Sequence, residues 1–125
     1  MPNLVLFVSN DLMFGAGITR HCEQQGRKMQ MIKSSQLREM MDQQPQQATE
    51  LGESTSHILV DLTESDDVVS IATAFAQHHA VGVRKIAFGP HVNVGILQAA
   101  QNAGFEAFPR SRMQMLLPQM FSEPQ

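Results

Sequence analysis

Tryptophan and tyrosine are absent from this 125-residue chain, and cysteine occurs once, at Cys22. A lone thiol excludes an internal disulfide and fits a reducing compartment. No apolar run approaches the ~18 residues of a membrane span. The start of the chain, Met-Pro-Asn and then Leu4 to Val8, has neither the basic nor the long apolar region of a signal peptide. The expectation is a cytoplasmic protein without a membrane partner. Positive charge is also scarce, with nine Lys and Arg against twelve Asp and Glu and a net charge of −3. Basic residues gather only at Arg27-Lys28, Arg84-Lys85 and Arg110/Arg112. Nucleic-acid binders concentrate such charge to neutralise phosphates, so no nucleic-acid partner is expected.

What is present suits a globular fold. Hydrophobic residues make up 42% and charged residues 17%, enough for a real core in one domain of this length. The domain is expected over 1–121, with a frayed C-terminal tail at 122–125. Leu4 to Ser9 is a short, continuous apolar run and reads as a buried strand. Asn10-Asp11 follow as a turn with a capping oxygen. Phe14, Ile18 and Cys22 then recur at helical spacing up to a stop at Gly26. Gly15 and Gly17 weaken that helix unless they serve close packing on the sheet.

Further strands are expected at Lys28–Ile32, His57–Leu62, Arg84–Phe88 and Phe105–Phe108. Helices are expected near Ser34–Met41, from Asp66/Asp67 onward, at Val94–Ala103 and at Met113–Phe121. Residues 42–56 are Gln-rich, with Pro45 and Gly52 as breakers, and read as a helix tail plus a mobile polar loop. Five strand–helix alternations with doubly buried strands imply an α/β (βα)5 three-layer sandwich around a parallel sheet. Right-handed crossovers and the flavodoxin-like order 2-1-3-4-5 fit it best.

Ligands in such sheets collect at the carboxyl ends of the strands. Four segments meet there: Ser9-Asn10-Asp11, Asp61-Leu62-Thr63, Gly89-Pro90-His91 and Pro109-Arg110-Ser111. Asp61, at the mouth of a central strand, has three readings. It is a phosphoryl-transfer nucleophile, a ligand of a hard cation such as Mg²⁺, or a turn residue. His91 is either an exposed loop residue or a cap of the helix after it, or else an acid/base group or an anion ligand. Adjacent His78 and His79 suit the negative end of a helix dipole better than a metal, since no further ligands stand at matching spacing. Cys22, on an apolar face, reads as core. Met113, Met115 and Met120 read as core filling, with an adaptable partner surface as the alternative. Gly15-Ala16-Gly17 lacks the full spacing of a nucleotide-binding loop.

In element order and spacing the chain resembles a response-regulator receiver domain of two-component phosphorelay systems. The resemblance puts the receivers' phospho-acceptor on Asp61, within Ile-Leu-Val-Asp. It puts their acidic pair on Ser9 and Asn10, their switch Ser/Thr on Gly89 and their lysine near Arg110. Phe88-Gly89-Pro90-His91-Val92 and Phe108-Pro109-Arg110-Ser111-Arg112 resemble a divergent, pseudo-receiver-like group. Three of these positions depart from the receiver chemistry. Ser9-Asn10 lacks the paired charge, leaving Asp11 and Asp61 as at best a weak Mg²⁺ site. Gly89 has no hydroxyl, and Arg110 differs from Lys in reach and geometry. The resemblance therefore implies a non-enzymatic signalling module that binds a protein partner or a second copy, with weak or no phosphorylation of Asp61. The pocket would comprise Ser9, Asn10, Asp11, Thr63, Gly89, His91, Arg110 and Ser111. Two alternatives stand beside it. One is a small flavodoxin-like enzyme using Asp11, Asp61 and His91 on an anionic metabolite held near Arg110. The other is a functional phosphorelay receiver.

Overall fold

The computed structural model describes residues 2–122. The elements run β1 (Leu4–Val8), α1 (Leu12–Gln24), β2 (Lys28–Ile32), α2 (Ser34–Gln43), α3 (Pro45–Ser54), β3 (Thr55–Asp61), α4 (Val68–His79), β4 (Arg84–Gly89), α5 (Val94–Asn102), β5 (Glu106–Pro109) and α6 (Arg110–Met120). The five strands form one parallel sheet in the order β2-β1-β3-β4-β5, the topology expected from the sequence.

Alternation along the central strands sorts side chains between two cores. Leu6, Val8, Ile58, Val60 and Ala87 face Leu37, Ala48, Phe75 and Ala100, beneath α2 to α5. Val5, Phe7, Leu59, Ile86 and Phe88 face Ile18, Cys22, Met113 and Leu117, beneath α1 and α6. Both faces are covered, which is why these strands read as unbroken apolar runs. Cys22 is fully buried, and burial above all pushes its thiol up to about 12. Met113 and Met120 fill the core, whereas Met115 is 75% exposed.

Three expectations are corrected. Residues 42–56 are not a mobile polar loop: α2 ends at Gln43, α3 follows, and β3 begins at Thr55. Pro45 sits at the start of α3, where its missing N–H costs nothing. Gly52 is a crossing point rather than a breaker. A Cβ there would lie 1.8 Å from the carbonyl oxygen of His79 on α4. The polar Gln residues are the outer face of a helix whose Ala48 and Gly52 are buried. Second, α6 begins at Arg110, directly after β5, not at Met113. Arg110 and Ser111 are thus first-turn helical residues, not loop residues. Third, only Gly15 of the two α1 glycines has a packing reason: its Cβ would lie 3.1 Å from the sulfur of Met31, while nothing stands near Gly17. Of the expected tail, 123–125 lie outside the described residues.

Candidate functional site

β1 and β3 are neighbours whose following helices lie on opposite faces, so the sheet opens between their carboxyl ends. Asp61 is the last residue of β3 and is 3% exposed. Its carboxylate is held on both oxygens. The Ser9 hydroxyl donates to Oδ2 at 2.9 Å. The Thr63 amide and hydroxyl donate to Oδ1 at 3.0 and 2.7 Å. Ser9 Oγ in turn accepts from the Asp11 amide at 3.1 Å. Three donors on one carboxylate satisfy a buried charge without a counter-ion.

Asp11 is the N-cap of α1, its Oδ1 accepting from the Phe14 amide at 3.0 Å. Its Oδ2 lies 3.5 Å from Nη1 of Arg110. The guanidinium of Arg110 lies over two rings, 4.5 Å from the centre of Phe14 and 5.2 Å from that of Phe88. Cation–π attraction favours its place there. A cavity of about 410 Å³ opens beside this arrangement, lined by Asp61, Thr63, Gly89, Pro90, His91, Arg110, Ser111 and Gln114. Gly89 does not have a positive φ. A Cβ there would make ordinary contacts at 3.5 Å with Leu62 and 3.6 Å with Ile96. Neither backbone nor packing demands glycine, and its effect is to leave the cavity wall without a hydroxyl.

The structure therefore brings Asp61, Thr63, Gly89, His91, Arg110 and Ser111 to one cavity. Ser9 and Asn10 line a separate one, with Lys33 and Gln36, between the ends of β1 and β2. Ser9 joins the two through its bond to Asp61, and Asp11 meets the group through its carboxylate on Arg110 and its amide on Ser9. His91 is exposed, and Asn93 rather than His91 caps α5. Sequence reasoning missed Phe14 and Phe88 as the seat of Arg110, because both belong to apolar runs that predict core. It also missed Glu64, whose carboxylate accepts from the amide and hydroxyl of Ser34 and so caps α2 from the β3–α4 loop.

This donor set does not fit a tightly held divalent cation. Asp61 accepts three protein hydrogen bonds, and both oxygens of Asp11 are engaged. Among the described residues no three His, Cys, Asp or Glu side chains gather as a metal site. Hard cations need several such oxygens. Among the same residues no helix is long and apolar enough to cross a membrane.

An open parallel sheet with a rim site at its switch point defines a flavodoxin-like α/β protein. Within that class the fold is that of a receiver domain. Superposition matches the response regulator receiver protein from Pseudoalteromonas atlantica with a TM-score of 0.68 and 10% identity, covering 94% of this chain and 95% of that one. The receiver protein from Burkholderia phymatum matches at 0.65 and 16%, covering 94% and 95%. The receiver domain from Rhodospirillum rubrum matches at 0.65 and 12%, covering 94% and 90%. No protein-family model and no curated protein matches the sequence. Identities this low carry the fold alone.

Proposed function

We propose that the chain is an atypical receiver-like module of bacterial two-component-type signalling, working in the cytoplasm. It acts through protein contacts, with weak or no phosphorylation of Asp61. The observation that carries this reading is the lack of a second free carboxylate beside Asp61, since the neighbouring acid, Asp11, caps α1 and faces Arg110. A phospho-acceptor needs a carboxylate oxygen free to attack and a metal to neutralise the incoming phosphoryl group. Here Thr63 donates twice to Oδ1, Ser9 takes one of the two acceptor sites of Oδ2, and the carboxylate that would share a metal, Asp11, faces Arg110 instead. Partner docking through α5, β5 and α6, or self-association there, draws support from the exposed apolar side chains of Val94 and Met115, 69% and 75% exposed.

A metabolite pocket closed by residues 42–56 would favour the enzyme reading. Those residues are the end of α2, α3 and the start of β3, and none of them lines the rim cavity. The test of the proposal is an amide spectrum recorded with Mg²⁺ and beryllofluoride. Resonances of Asp61, Thr63 and Gly89 are expected to stay near their starting positions. Large saturable shifts, lost in Asp61→Asn, would establish a working receiver instead.

A further inference from the structure

A second surface, away from the Asp61 rim, combines an apolar floor with a border on which Glu39, Asp42 and Asp67 outnumber Arg38, with His78 and His79 at one end. Two adjoining cavities of about 520 and 360 Å³ lie between α2 and α4 and share Arg38, Asp42, Asp67 and Ile71, so they form one groove. Met41, Ile71 and Ala74 contribute its apolar lining. Ser34 Oγ and Ser65 Oγ meet at 2.9 Å at one end of it, and the Arg38–Asp67 ion pair crosses it at 3.7 Å, with side chains 64% and 54% exposed. Exposed pairs of that kind add little stability, so a competing cation displaces Arg38 at small cost.

Charge is distributed unevenly about this groove. From Lys33 to His79 the chain carries eight of its twelve acidic residues and only two of its nine basic ones, Lys33 and Arg38. Of those acids, only Asp61 is a buried group of the sheet. The rest ride on α2, α3 and the loop before α4. Opposite, α1 and α6 carry Arg20, Arg110 and Arg112 against the single acid Glu23. The molecule is thus polarised between its two helical layers, with the groove on the acidic side. A field of one sign along a cleft selects and steers a ligand of the other.

We propose that the α2–α4 groove docks a basic amphipathic helix of a partner protein. Its apolar side chains would enter over Met41, Ile71 and Ala74. Its Lys and Arg residues would pair with Glu39, Asp42 and Asp67. This is the helix-in-groove mode of recognition. It is independent of whether Asp61 is phosphorylated, because no residue of the rim cavity lines the groove.

The experiment is a titration of the isotope-labelled full chain with a synthetic amphipathic Leu/Lys helix, and in parallel with a Leu/Glu helix of the same pattern. The Leu/Lys helix is expected to give saturable amide shifts at Arg38, Met41, Asp42, Ser70, Ile71 and Ala74. They should weaken as salt is raised, and the Leu/Glu helix should give none. Glu39→Lys with Asp42→Lys, both at exposed positions, should keep the parent spectrum elsewhere and weaken binding about tenfold or more. Ala74→Arg, which fills the floor, should act likewise. Equal binding of both helices, or shifts confined to α5, β5 and α6, would overturn the proposal. Concentration-dependent shifts along the groove without any helix would also overturn it, by naming a second copy as the occupant.

Discussion

Asp61 and His57 sit on the same strand in contrasting surroundings. Asp61 keeps three donors and needs no cation. His57 is 6% exposed, edge-on to Phe121, with Ser56 Oγ 2.7 Å from its Nδ1. Burial first, then the positive charges of Arg27 and Arg84, lower its pKa from 6.5 to about 4, against a small opposing effect of Glu106. The folded state therefore takes up this proton later than the unfolded chain. The stability it confers is complete above about pH 6.5 and is lost as pH falls toward about 4. The slope is about 1.4 kcal/mol per pH unit, on the order of 3 kcal/mol in all. Chemical denaturation between pH 6.5 and 5, before most carboxylates titrate, should show this slope in the parent and a flatter profile in His57→Gln. Equal slopes would mean that His57 is not the group responsible.

The helices differ in how far their sequences announce them. α1 is legible from Asp11 as cap and from Phe14, Ile18 and Cys22 on one face. α3 is not, because Gln-rich composition and two residues that usually break helices outweigh a faint apolar pattern. Only the tertiary crossing explains Gly52, where the backbone of α4 leaves no room for a Cβ. Gly52→Ala should therefore force α3 and α4 apart and cost about 1–3 kcal/mol or more. Gly17→Ala, in open space on α1, should instead stabilise by up to about 1 kcal/mol. Thermal melting of the two variants checks both signs. A neutral Gly52→Ala would mean that the α3–α4 approach is looser than described. The rim shows the same division. Strand ends pointed to Asp61, Gly89 and Arg110 from the alternation alone. The seat of Arg110 on Phe14 and Phe88 was hidden, since aromatic residues in apolar runs carry no sign of a polar task.

At the scale of the molecule, the sheet order and both cores follow from five apolar runs separated by helical periods. That scaffold brings Asp61, Gly89 and Arg110 to one rim, as the topology requires. Function is not fixed by that scaffold. It turns on whether the rim can gather charge around a phosphoryl group, and here the acids are used inward, as cap and as strand-to-strand tie. The molecule's other charges are divided between its layers, with acids massed on one helical layer and bases on the other. The most direct measurement is the intact mass of the chain after incubation with acetyl phosphate and Mg²⁺, under acid quench to preserve any acyl phosphate. The account predicts an unmodified mass, or at most a trace adduct. A stoichiometric phosphoryl adduct that disappears in Asp61→Asn would contradict it.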